Sequence, residues 1–121
     1  MFAAYVIVTV LAAAANIYAA TNDFRRPEWL LSTMNKLGVP ESSLPILGIL
    51  KAAGALGLLI GIGLPVIGIA AAAGLTLFFV GAVITHLGAR DYSLGRGIPV
   101  MFLLLAIAAL VLGVYGRTAT V

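Results

Sequence analysis

The chain has 121 residues, 63% of them hydrophobic and only 9% charged, whereas soluble domains average about 45–50% apolar and about 25% charged. With a mean hydropathy of +1.19, one soluble domain of this length could not hide that much apolar surface, so lipid is the expected solvent. A net charge of +3 without any basic run gives no footing for nucleic acid, and the lack of cysteine excludes disulfides, thiol catalysis, Cys-ligated zinc and iron–sulfur clusters.

A membrane-spanning helix needs about 20 apolar residues. Met1 to Ala20 is the first such run, interrupted only by Thr9 and Asn16. No Lys or Arg precedes it, as one would in a cleaved signal peptide, so it reads as a retained helix. The connection from Thr21 to Ser43 contains a second pattern: Pro27 opens and Gly38 with Pro40 closes a short helix. Leu30, Met34 and Leu37 would share one face of it, with Trp29 alongside and Arg25, Arg26 and Glu28 at its polar start. This composition predicts an amphipathic helix lying in the headgroup layer.

Leu44 to Leu64 is the second apolar run, carrying one charge, Lys51. Val66 to Leu87 is the third, with His86 at its end, and Ile98 to Tyr115 is the fourth. Pro45, Pro65 and Pro99 each suit a first helical turn, where the missing N–H has no intrahelical partner to lose. The predicted fold is therefore an all-α membrane protein, residues 1–121 forming one domain: a four-transmembrane-helix bundle with a short interfacial amphipathic helix between helices 1 and 2. Loops 1 and 3 hold Arg25, Arg26, Lys36, Arg90 and Arg96 against Arg117 on the other side. The positive-inside rule places those loops in the cytoplasm and both termini outside.

Small residues let membrane helices approach closely. Ala53, Gly57 and Gly61 on the second helix and Ala70, Gly74 and Gly81 on the third are the expected contact faces of an antiparallel hairpin, with a homodimer seam as the alternative use.

Polar groups within a membrane helix are costly and mark sites by default. Lys51 lies about two turns into the second helix, His86 ends the third, Asn16 and Tyr18 lie near the same end of the first, and Arg90 and Asp91 follow His86. These six are the candidate ligand-binding residues, converging on a shallow cytoplasmic-side cavity. His86 and Asp91 are the acid–base candidates if the site is catalytic. Structural roles stand beside these: Lys51 can snorkel to the headgroups, Asn16 can bridge helices, and Asp91 can pair with Arg90 or Arg96. One His and one nearby carboxylate make no metal site, and no Gly-x-Ser-x-Gly, His-Glu-x-x-His or phosphate loop occurs. Ser93 is near His86 in sequence, which alone makes no catalytic pair.

The stretches LGVPESSLPILGILKAAGALGLLIGI (Leu37 to Ile62) and AAAGLTLFFVGAVITHLGARDY (Ala71 to Tyr92) resemble the DoxX-like family of small bacterial membrane proteins. The shared pattern is a polar residue early in helix 2, Gly-rich packing, and an ending like HLGARDY; the resemblance covers most of the chain. It implies location in a bacterial inner membrane and association with oxidoreductases. Some DoxX-type proteins are subunits of a thiosulfate:quinone oxidoreductase, and others accompany sulfur and oxidative-stress enzymes. It also implies that Lys51, His86, Arg90 and Asp91 are polar positions that matter. Without cysteine, this chain is not itself expected to carry out thiosulfate chemistry.

The leading functional expectation is a small-molecule-binding subunit of a membrane redox complex. Its ligand would be quinone-like or otherwise lipophilic, with no other cofactor; its partners are the bilayer and a second copy or a redox protein. The alternative is a membrane enzyme of isomerase or epoxide-opening type, by fold analogy alone. A proton-driven exporter is disfavoured because the first apolar run holds no carboxylate.

Overall fold

The computed structural model describes residues 2–88 and 94–116. Five α-helices follow one another among them: α1 (Phe2–Arg25), α2 (Glu28–Leu37), α3 (Leu44–Ile60), α4 (Pro65–Gly88) and α5 (Leu94–Val111). A 3-10 turn (Glu41–Ser43) precedes α3 and a π-helical turn (Leu112–Gly116) follows α5. No strand occurs among the described residues.

The first helix is longer than its apolar run. Thr21 and Asn22 do not stop it, because Thr21 Oγ1 donates back to the Ile17 carbonyl and the backbone remains helical to Arg25. Only Arg26 and Pro27 then separate α1 from α2. The amphipathic helix forms as expected, with Pro27 as its N-cap and Gly38 as its left-handed C-cap (φ 73°), which donates to the Asn35 and Met34 carbonyls. Met34 is buried beneath it, whereas Trp29 is 56% exposed on the outer side, away from the Met34 face.

Ser43 caps α3, and Pro45 sits in its first turn. The helix ends at Ile60, short of the expected Leu64, and residues 61–63 turn the chain into α4, which begins on Pro65. The fourth apolar run departs from expectation at its start. The helix begins at Leu94, so Pro99 lies inside α5 instead of in its first turn. Hydropathy locates where lipid begins, not where helical hydrogen bonding begins.

α1 packs against α3 and α5, and α4 packs against the same two helices. The core between them is unusually fine-grained: Ala12, Ala13, Ala55, Ala72, Ala106 and Ala109 surround Leu58, Leu75, Phe79 and Phe102. Alanine interiors let helix axes approach, which is how association proceeds where no water drives it. The α3–α4 contact is closest at Gly61 and Gly68, where a methyl added at Gly61 would collide with the Gly68 backbone. Gly57 faces Ala71, and Gly54 faces Leu75. The second-helix face thus holds at Gly57 and Gly61, but Ala53 points outward. On α4 the contact runs through Gly68, Ala71 and Leu75, one register away from the expected Ala70, Gly74 and Gly81, which face outward.

Outward faces are apolar. Val66 is 79% and Leu77 74% exposed, and Ile7, Ile46, Leu56, Ile84 and Leu104 are also exposed on the four longer helices. Soluble monomers rarely tolerate such continuous apolar surface. By length and composition, Phe2–Arg25 and Pro65–Leu87 can cross a membrane; Leu44–Ile60 and Pro99–Tyr115 are shorter apolar segments.

Candidate functional site

The polar interior is built on α1. Thr9, Asn16 and Asp23 follow one another at intervals of seven residues, two helical turns each, and so occupy a single stripe. All three are buried, over about 21 Å of helix from first to last. No other buried polar or charged residues occur among those described.

At the C-terminal end of the stripe Asp23 meets Lys51. Nζ donates to Asp23 Oδ2 at 2.8 Å, with the side chains 14% and 4% exposed respectively. The ammonium also stands 5.6 Å from the centroid of the Phe78 ring on α4, within cation–π range. Gly48, one turn before Lys51, lets α3 close on α1 here. A methyl at that position would come within 3.2 Å of Asp23 Cβ and 2.9 Å of the Phe24 ring. Three helices therefore contribute to the ion pair: the carboxylate from α1, the ammonium from α3 and the ring from α4. Because the two charges are both deep and paired, Lys51 need not carry its charge out to the headgroups.

Asn16 is the middle rung. Its Nδ2 donates to the Ala12 carbonyl at 2.8 Å, within its own helix, which leaves Oδ1 buried without a hydrogen-bond partner among the described residues. Thr9 is similar. Thr21, Thr33, Thr76 and Thr85 each donate to the carbonyl four residues back, yet Thr9 Oγ1 is buried with no partner among the described residues. Thr9 thus presents a hydroxyl, able to donate or accept, and Asn16 a carbonyl acceptor.

The remaining candidates are dispersed. His86 is half-buried, with Nδ1 2.9 Å from the Ala82 carbonyl. It lies eight residues beyond Phe78, about 12 Å along α4 from the level of Lys51. Tyr18 is 68% exposed on the outer face of α1 and is not brought to the interior stripe. Arg90, Asp91 and Ser93 lie outside the described residues.

Asp23 is not among the residues expected from the sequence, because the first apolar run ends at Ala20, three residues before it. With α1 continuing to Arg25, the first helix does contain a carboxylate, though near its end and already paired. Two signals pointed to it. A lysine in an apolar helix requires an anion. Of the four carboxylates in the chain, Asp23 alone continues the seven-residue spacing of Thr9 and Asn16.

A model of the DoxX-like family matches residues 7–110. No curated protein and no solved structure gives a match. The matched segment includes most of α1, all of α2, α3 and α4, and nearly all of α5, and so contains the Asp23–Lys51 pair and the stripe leading to it. The chain belongs to the DoxX-like family and, with its long apolar helices and apolar outward faces, is a membrane protein.

Proposed function

We propose that the chain crosses the membrane four times, through α1, α3, α4 and α5, and binds a small lipophilic molecule with a polar head, quinone-like in chemistry, as a subunit of a membrane redox complex. At 1.5 Å per residue, the 17 residues of α3 extend about 26 Å, close to the roughly 30 Å hydrocarbon core, and the turn after it adds reach. The cation count of the loops supports a cytoplasmic location for the end that carries Asp23 and Lys51, with both termini outside.

The observation that carries the ligand reading is the pair of buried, unpartnered oxygens, Thr9 Oγ1 and Asn16 Oδ1. In hydrocarbon an unsatisfied polar group costs several kcal/mol, because no water can relieve it. A ligand hydroxyl would satisfy Asn16 Oδ1, and a ligand carbonyl would accept from the Thr9 hydroxyl. A quinone–quinol couple offers both forms. Lys51, held by Asp23, would close the cytoplasmic end of the same stripe, with His86 further along α4 toward that surface. Electrons would come from a redox partner, while this chain provides the binding surface.

The test is calorimetric titration of a short-chain quinone into the purified chain in nanodiscs. Asn16→Leu should weaken binding tenfold or more while leaving helix content unchanged. Saturable binding that is equal in the parent and in Asn16→Leu, Thr9→Val and Asp23→Leu/Lys51→Met would overturn the reading. So would a parent chain that shows no saturable binding. Mild-detergent pulldown with mass spectrometry of co-purifying proteins then identifies the partner.

A further inference from the structure

The two oxygens on α1 that carry the ligand reading are sealed. Thr9 and Asn16 are almost completely buried, so no ligand head reaches either oxygen while the helices stay closed. Entry requires one seam of the bundle to part, and the four seams are not held alike. α1 and α3 are tied by Asp23 and Lys51 and close on one another at Gly48. α3 and α4 share a short turn and meet backbone to backbone at Gly61 and Gly68. α4 and α5 are joined through Phe79 and Phe102, with ring centroids 5.2 Å apart. α1 and α5 pack together but are the first and last helices, so no short segment of chain links them.

The register of that fourth seam follows from its two ends. A methyl at Gly113 would lie 3.4 Å from Tyr5 Cε1. At the other end Phe102 packs on Phe79, next to the Phe78 ring that faces Lys51 and so Asp23. α5 therefore runs antiparallel to α1. Counting back from Gly113 as α1 advances from Tyr5 puts Ala109 level with Thr9, Ala106 with Ala12 and Phe102 with Asn16. Ala12, Ala106 and Ala109 are buried in one core. Alanine methyls bring few dispersion contacts to a seam, so this one costs little to open. α5 also has weak points at both ends of the segment that covers the two oxygens. Pro99, inside the helix, offers no N–H to the Gly95 carbonyl and crowds it with its ring. The π-helical turn at Leu112–Gly116 interrupts the regular ladder beyond Ala109.

We propose that α5 is a lateral gate: its segment beyond Pro99 swings away from α1 and admits the head of a lipophilic molecule from the bilayer to Asn16 and Thr9. α1, α3 and α4 stay joined by the ion pair and the glycine contacts, and the ligand's tail remains in lipid. The inference rests on the ligand reading and the membrane-spanning reading, and it names the route of entry.

The chain has no cysteine, so an introduced pair forms the one possible disulfide within it. Ala12→Cys/Ala106→Cys is placed in nanodiscs and oxidised, and a fully substituted short-chain quinone is titrated in by calorimetry. The disulfide should weaken binding tenfold or more. Reduction, followed by removal of the reductant, should return it to the parent's level. Equal binding by the cross-linked and reduced forms refutes the gate and leaves the ligand reading standing. Failure of the disulfide to form refutes the register on which the gate depends. A parent chain without saturable binding refutes the ligand reading itself, and the gate with it. A second measurement decides the matter if the cysteine pair weakens binding even when reduced. Nitroxides on Ile7→Cys/Val111→Cys, at exposed positions of α1 and α5, report the separation of the two helices by double electron–electron resonance. Saturating quinone should add a longer distance, because the bound head needs room that the closed helices lack. One unchanged distance overturns the proposal.

Discussion

Replacing Lys51 with methionine strands the Asp23 carboxylate among α1, α3 and α4. At 2.8 Å and an effective dielectric of about 20, the lost attraction is about 6 kcal/mol, most of it offset in the native protein by the desolvation of two charges. Removing one partner leaves that desolvation uncompensated, so Lys51→Met should destabilise by about 3–5 kcal/mol. Asp23→Asn should cost less. The ammonium can either stay over the Phe78 ring or be carried by its four-carbon stem toward the headgroups. Asp23→Leu/Lys51→Met removes both charges and should recover to within about 1 kcal/mol of the parent, or exceed it. The assay is unfolding of the purified chain in mixed dodecylmaltoside–dodecylsulfate micelles, followed by circular dichroism and by Trp29 emission. A coupling energy below about 0.5 kcal/mol in this double-mutant cycle would mean that the two side chains act independently. The three-helix ion pair could not then be what joins α1 to α3 at this end.

Other substitutions probe the remaining features. Gly61→Val drives a side chain into the Gly68 backbone and should cost more than about 3 kcal/mol by the same assay. Gly74→Ala, in open space on α4, should stabilise by about 0.5–1 kcal/mol; if it instead shifts the elution volume, that face is a homodimer seam. Gly38→Ala forces a left-handed residue at the α2 C-cap and should cost about 1 kcal/mol, read as a lower midpoint of thermal unfolding. Thr9→Val deletes an unpartnered hydroxyl at constant shape. It should be neutral or stabilising without ligand, and a loss of more than about 1 kcal/mol would reveal a partner for that hydroxyl.

Composition and hydropathy alone determined that this is an all-α chain in lipid, and the proline and glycine signals placed three helix boundaries: Pro27 and Gly38 around α2, and Pro65 at the start of α4. These are local properties. Proline lacks a backbone donor and fixes its own φ, glycine tolerates φ 73°, and an apolar run is apolar wherever it packs. The α1 and α5 boundaries escaped because the sequence was divided by apolarity, whereas helices continue through Thr21–Arg25 and begin at Leu94 for reasons of backbone hydrogen bonding.

Helix facing was legible only in part. Gly57 and Gly61 could be assigned, but their partners on α4 depend on the crossing register, and a shift of one or two residues turns Gly74 from contact to lipid. The candidate site divides in the same way. Lys51 and Asn16 were found because a polar group in an apolar run announces itself. That Lys51 belongs with Asp23, that Tyr18 faces out, and that His86 lies about 12 Å further along α4 were decided by which stripes the helices turn toward one another. One tertiary fact was nevertheless written in the chain: the interval of seven from Thr9 to Asn16 to Asp23, two turns of an α-helix, puts all three on one face whatever that face meets. What it meets, and that the carboxylate there is paired while the two oxygens above it have no partner among the described residues, required the packed helices.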